Sequence, residues 1–292
     1  MRKILLVSCA FIFVSCSDLS DQADQKDRVS EVPLIGESSS QQIVTLFRKQ
    51  QTDLEATLST RQRASLKAYR NWRTALFQGN AEPSEEIKLN MLDAQQQIDN
   101  AVSDFAREIA ERIRRDQLAR LDMLFLPGDL VVKFEARGLP LDQNDESILD
   151  EILKLEAASI DVENTAWLKT HLEERDYVWW PISEVGERVS FNIWLLVQHA
   201  DRDPEFQRKV LRLMEPMVET GEVNGRNFAY LYDRVNEPQR YGTQLMCIEG
   251  AFSPRPLADP ARVDEFRKSV GLGPLADYIK SPSFDPEHCK SG

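Results

Sequence analysis

The chain has 292 residues and a formal charge of −12, with 48 acidic side chains against 36 basic ones. That length can bury one large core or two smaller ones. So large an acidic excess argues against nucleic acid as a partner and against electrostatic adhesion to anionic lipid.

Met1-Arg2-Lys3 is followed by an almost wholly apolar stretch from Ile4 to Val14, and then by Ser15-Cys16. A basic start, a short apolar core and small residues before a cut make residues 1–15 a secretory signal. The apolar stretch falls short of the roughly twenty residues that cross a bilayer. Val14-Ser15-Cys16 resembles a bacterial lipobox, with Phe13 where Leu is usual. The resemblance implies lipidation of Cys16 as the first mature residue; ordinary secretion, with a cut before Asp18, is the alternative. Ser17 rather than an aspartate after the cysteine implies an outer-membrane address facing the periplasm. Membrane attachment is expected through the N-terminal lipid alone, because no other segment is long and apolar enough to span.

Residues 16–40 are rich in Ser, Asp, Gln and Glu and lack a hydrophobic period. They read as a flexible tether, because so polar a stretch buries too little to offset its ordering entropy. Its reach as a coil is about 25 Å. From Gln41, an apolar stripe of Ile43, Phe47, Leu54, Leu58, Leu66, Tyr69, Trp72 and Leu76 has helical spacing. Gly79, Asn80 and Pro83 break it, and a second stripe runs from Ile87 through Ile109 and Ile113 to about Leu121. Two stripes around a breaker predict an antiparallel helical hairpin over 41–121. Arg112, Arg114 and Arg115, interleaved with Glu111 and Asp116, read as a solvated helix face. Residues 122–158 form a junction, with a helix through Ile148, Ile152 and Leu155.

From about Ser159 a C-terminal domain over 159–282 is expected, followed by a tail at 283–292. A helix over Asp161 to Glu174 leads to Tyr177-Val178-Trp179-Trp180-Pro181, and a second is predicted from about Val185 to His199. Asp203-Pro204 starts a third, since Asp caps backbone N–H groups and Pro at the first position loses no useful donor. Gly221 ends it. A fourth spans about Asn224 to Val235, and Asp259-Pro260 starts a fifth that ends near Gly271. Between them, Tyr241 to Phe252 reads as a short hairpin or extended pair. The fold class is mainly α: a helical hairpin, then a multi-helix domain with a short β-hairpin.

The C-terminal stretch carries Asn164-Thr165, Val185-Gly186, Gln198-His199-Ala200-Asp201, Gln207 and Gly221-Glu222. It continues with Ala229-Tyr230-Leu231-Tyr232-Asp233-Arg234-Val235, Gln239, Tyr241-Gly242-Thr243-Gln244, Val263-Asp264 and Gly271-Leu272. In order and spacing these resemble a bacterial family of unknown function, number 6624, over residues 159–280. Val178 departs from it where Gly-Trp-Pro is usual, and Phe266 where the family tends to carry Arg. The resemblance implies no reaction.

Four cysteines are present. Cys9 leaves with the signal and Cys16 carries lipid. Cys247 and Cys289 remain, either to pair as a disulfide in an oxidising compartment or to stay apart, one buried and one free. No metal or redox spacing involves them. His199 ends an apolar helix face, where it serves either as acid, base or ligand, or as a cap on free carbonyls. His199-x-Asp201-x-Asp203 alternates potential ligands, but Asp203 is needed as a cap, so no metal is expected. Asp233-Arg234, Gln239 and Tyr241-Gly242-Thr243-Gln244 form the densest polar group. Arg supplies a fork for carboxylate or phosphate, and the neutral side chains suit a polar small molecule or glycan. Read structurally, the same residues are a buried Asp–Arg and amide network.

No nucleophile elbow, zinc-protease motif or phosphate-cradling loop occurs, and no cofactor is implied. The expectation is a non-catalytic envelope lipoprotein that binds a polar small molecule, a glycan or an envelope protein. Its candidate site is His199, Asp201, Asp233, Arg234, Gln239, Tyr241, Thr243 and Gln244. The alternative is an acid–base enzyme, in the manner of a hydrolase, using His199 with Asp233, Arg234 and Gln244. The two part on geometry: an enzyme needs these groups in one accessible cleft, and a structural network leaves them buried and mutually satisfied.

Overall fold

The computed structural model describes residues 40–77, 93, 95–124, 143–281, 284 and 289. The described chain is mainly helical with one two-stranded antiparallel sheet, the class that the periodicity predicts. The expected signal, lipobox and tether and the Gly79–Pro83 breaker lie outside the described residues. No described helix is long and apolar enough to cross a membrane. The chain divides into two compact units, Ile35–Trp167 and Leu168–Gly292.

In the first unit, α1 (Ser40–Thr57) and α2 (Thr60–Phe77) replace the single helix that the first stripe suggests. Ser59 is the reason. Its Oγ accepts from the Gln62 N–H at 3.2 Å, and Gln62 Oε1 accepts from the Ser59 N–H at 2.8 Å. This reciprocal capping box satisfies donors that a helix start leaves open, so restarting the helix there costs little. The second stripe is interrupted in the same way. Ser103 Oγ accepts from the Ala106 N–H at 3.1 Å and opens α3 (Asp104–Leu124), after helical residues 95–99. Leu58, Leu66 and Tyr69 pack with Ile152 and Leu153 of α4 (Gln143–Glu174) in one buried cluster. Fully buried Ile43 and Phe47 of α1 and Ile109 of α3 add to the core.

The arginine face of α3 is solvated only in part: Arg115 and Glu111 are exposed, while Arg112, Arg114 and Arg120 are half-buried. Arg112 donates to Asn164 Oδ1 at 3.2 Å and lies over the Trp167 ring at 4.4 Å. Arg115 reaches Glu163 at 3.1 Å, and Arg120 joins buried Asp116 at 2.6 Å to Asp161 at 2.7 Å. The planar forks of Arg115 and Arg120 thus reach carboxylates on α4, while Arg112 holds an amide oxygen there and Glu108 on its own helix. A carboxylate as buried as Asp116 requires such a partner. The α4 helix has neither Gly nor Pro over 32 residues. It therefore runs unbroken through the position near 158/159 where the sequence suggests a domain boundary.

In the second unit, α4 ends in a tight knuckle where Asp176 and Tyr177 have φ of 52° and 61°. Such left-handed backbone is costly for a side chain as bulky as Tyr. Arg175 holds the turn: it donates to the Val178 carbonyl at 3.2 Å and to both Glu184 oxygens at 2.7 Å. Trp179 and Trp180 are buried behind it, and Val178 is exposed. α5 (Ile182–Gln198) begins three residues before the predicted start and is interrupted at Gly186, whose φ of 80° and ψ of 158° leave the helical region. Glu222 caps it, its side chain accepting from Ser183 N–H and its carbonyl from Ile182 N–H, each at 2.9 Å.

α6 (Pro204–Val218) starts as predicted, with Asp203 accepting from the Phe206 N–H at 3.0 Å. Gly221, at φ 74°, follows its end. α7 (Gly225–Val235) is capped by Asn224 and packs against α5 and α6. β1 (Leu245–Ile248) pairs with β2 (Ala251–Pro254) around Glu249-Gly250, both at positive φ, as a two-residue hairpin turn with primed geometry requires. Cys247 on β1 and Cys289 are joined as a disulfide, Cα to Cα 5.4 Å. α8 (Val263–Ser269) begins later than Asp259-Pro260, which instead opens a turn. A further short helix, α9 (Leu275–Ile279), was not legible beforehand.

Candidate functional site

Asp233 is the centre of the polar constellation. Its carboxylate accepts from the N–H groups of Arg240 at 2.8 Å, Tyr241 at 3.0 Å and Thr243 at 2.9 Å, and from the Thr243 hydroxyl at 3.0 Å. One side chain near the end of α7 thus gathers the loop 240–243, whose amides have no strand or helix to pair with. Burial raises the Asp233 pKa, and the four donors pull against it.

Gln239 ties the other side of this loop. Its amide donates to the carbonyls of Gln244 at 3.0 Å and Arg255 at 2.8 Å, and its oxygen accepts from the Gln244 N–H at 3.0 Å. Its own backbone bonds to Pro256 and Ala258. Gln244 is buried and donates to the Thr243 hydroxyl at 3.1 Å. Tyr241 is buried edge-on against Tyr232, ring centroids 5.6 Å apart, and burial raises its pKa. Gly242 has φ of 63°, and a Cβ there would meet Leu275 Cδ1 at 3.0 Å, so both conformation and space call for glycine.

Arg234, adjacent in sequence, does something different. It forms a two-pronged ion pair with Asp201, Nε to Oδ1 at 2.5 Å and Nη2 to Oδ2. Burial would raise the Asp201 pKa, but the charge and hydrogen bonds of Arg234 outweigh it and hold the carboxyl below its usual value. Gln207 reaches Asp201 at 3.4 Å and, more closely, the Val197 carbonyl at 3.0 Å, closing the C-terminus of α5. His199 is buried at that same helix end, its backbone N–H donating to the Leu195 carbonyl at 3.1 Å. Asp203 is spent on its cap and on Lys169 at 2.8 Å. The predicted residues therefore fall into two groups and one remainder: Asp233, Gln239, Tyr241, Thr243 and Gln244 hold one loop, Arg234 and Asp201 join α7 to the segment after α5, and His199 caps the end of α5.

Two contributors escaped the sequence reading. Arg267 on α8 is 2% exposed, donates to the carbonyls of Gly273 at 2.6 Å and Tyr241 at 2.7 Å, and lies over the Tyr278 ring at 5.0 Å. Burial lowers its pKa. The Tyr278 hydroxyl donates to the Thr243 carbonyl at 3.0 Å, and burial lifts its pKa well above the usual value. Together they supply donors to carbonyls of the loop whose amides Asp233 holds. Neither position carries a local signal: an Arg in the last turn of a short helix reads as solvent-facing.

Residues 145–283 match the model of a family of unknown function, DUF6624. Among curated proteins and solved structures there is no match.

Proposed function

With residues 145–283 belonging to the DUF6624 family, we propose that the chain is a non-catalytic, lipid-anchored envelope protein whose C-terminal domain binds a polar ligand or protein partner. The observation that carries the non-catalytic part is the state of Asp233. The acid–base alternative needs Asp233 free to hold substrate beside His199, and this buried carboxylate is instead occupied by three backbone amides and a hydroxyl. The site's role on this reading is to hold a rigid loop, Arg240–Gln244, on which a binding surface is built; preorganised loops lose less entropy on association. The lipobox at Cys16 supports the anchor.

Thermal melts and membrane fractionation test the two halves. Asp233→Ala leaves three amides unpaired and should cost about 3 kcal/mol or more, at 1–3 kcal/mol for each unmet buried group. Arg234→Ala removes a pair whose carboxylate is 42% exposed and should cost about 1 kcal/mol. An Asp233→Ala protein that melts like the wild type would overturn the structural assignment and revive the acid–base alternative. Cys16→Ala should release the protein from the membrane fraction or leave its signal uncleaved. A mature N-terminus at Asp18 would reject the lipid anchor.

A further inference from the structure

We infer that the Cys247–Cys289 bond is a redox latch on the loop Arg240–Gln244: once a dithiol reduces it, the folded protein lets that loop go. The bond stands at one end of a continuous run of contacts. Cys247 on β1 lies opposite Phe252 on β2 in the hairpin register. The Phe252 ring meets Phe284, centroids 5.5 Å apart, and Phe284 meets Tyr278 of α9 at 5.0 Å. Tyr278 donates to the Thr243 carbonyl at 3.0 Å and lies under Arg267, which donates to the Tyr241 carbonyl at 2.7 Å. Phe284 is itself buried, packed between the hairpin and α9.

Covalent and non-covalent ties have different parts in this. Cys289 is buried, its carbonyl oxygen beside the turn glycine Gly250, 3.9 Å from where a Cβ would stand. Phe284 is tied back to α9 by short turn bonds: Ser281 N–H donates to the Tyr278 carbonyl at 3.0 Å, and Phe284 N–H to the Ser281 carbonyl at 2.9 Å. With the disulfide open, ring contacts are what hold Phe284 to the hairpin among the described residues. A segment with few buried apolar contacts opens ahead of the whole fold. Cys247 is half-buried and Cys289 is 2% exposed, so a thiolate approaches at Cys247. It attacks that sulfur and expels Cys289, and the second thiol of the dithiol then expels Cys247. Two cysteine thiols and the reductant's own disulfide result, with two electrons and two protons passed to the protein. The ordered loop of the oxidised form is preorganised for a ligand, and the loosened one is not. That consequence rests on the binding reading above; the latch itself does not.

Hydrogen exchange of the full chain, oxidised and in dithiothreitol, tests the latch, with alkylation and mass measurement confirming the free thiols. The amides of Tyr241 and Thr243 should exchange at least about tenfold faster after reduction, and gain more than those in the middle of α7. A cross-link that acted on the unfolded chain alone would speed the loop no more than α7. Phe284→Ala, with the bond intact, should speed the loop amides likewise, and reducing that variant should add little at the loop beyond the change in α7. Loop amides that gain no more than α7 on reduction, or that Phe284→Ala leaves unmoved, would each overturn the inference. If circular dichroism shows the reduced chain to be unfolded, Phe284→Ala decides alone. No ligand enters this readout, so the latch and the binding reading fail separately.

Discussion

Side chains that look alike in sequence have opposite tasks here, and their partners explain why. Asp201 and Asp233 each sit beside a candidate basic or polar group, yet one pairs with a guanidinium and the other with backbone amides. Glu184 offers the clearest pH signature. The hydrogen bond from Arg175 lowers its pKa below the ordinary value of 4.5, against a burial effect that raises it. A depressed folded-state pKa contributes stability that is full above the unfolded value and is lost as pH falls through the folded value. The carboxyl is 45% exposed, so solvent screening holds the contribution to about 0.5 kcal/mol. Denaturant titrations of wild type and Glu184→Gln should therefore differ by this small amount at pH 7 and converge as the pH falls through the lowered folded-state value. A difference that persists unchanged in fully protonating acid would mean that Glu184 acts by holding Arg175 over the Trp180 ring, 5.1 Å from its centroid, and not through charge.

Elements begin and end here where a side-chain oxygen meets a free backbone donor. Ser59, Ser103, Asp203 and Asn224 each do this. Asp203 and Asn224 were legible because Pro204 and the helix-ending Gly221 punctuate the sequence around them. Ser59-x-x-Gln62 was equally present, but a continuous apolar stripe through Leu54, Leu58 and Leu66 masks it, since those residues serve one core from two helices. Ser59→Ala should cost about 1 kcal/mol, the usual worth of such a cap. Hydrogen exchange should then accelerate at the N-terminus of α2 and leave the middle of α1 unchanged. Equal acceleration throughout α1 would show the two helices to be one cooperative segment.

At the scale of the whole chain, the bond between Cys247 and Cys289 closes a loop across a separation of 42 residues. In the chain-entropy model a loop of this length stabilises by about 4 kcal/mol. Reduction, or Cys247→Ser, should lower the midpoint of denaturant unfolding accordingly, with the slope changing because the unfolded chain expands. A midpoint indifferent to reductant would mean that the thiols do not pair in the folded protein. An oxidising compartment is what keeps such a bond intact, in keeping with the proposed export.

The helical class, the Asp203 and Asn224 starts, the hairpin near Tyr241–Phe252 and the family resemblance were all readable from residues alone. Each depends on a period or a cap, which are properties of neighbours in sequence. What only the tertiary structure decided is long-range. The α3 arginines face α4, Arg267 supplies donors to the loop from 26 residues away, and α4 ignores the compositional boundary near 158. A guanidinium has the same local pattern whether it meets water or a carbonyl. Which it meets depends on how helices pack within each unit, as where Ile109 and Ile152 are buried in the first, and no short window of sequence contains that.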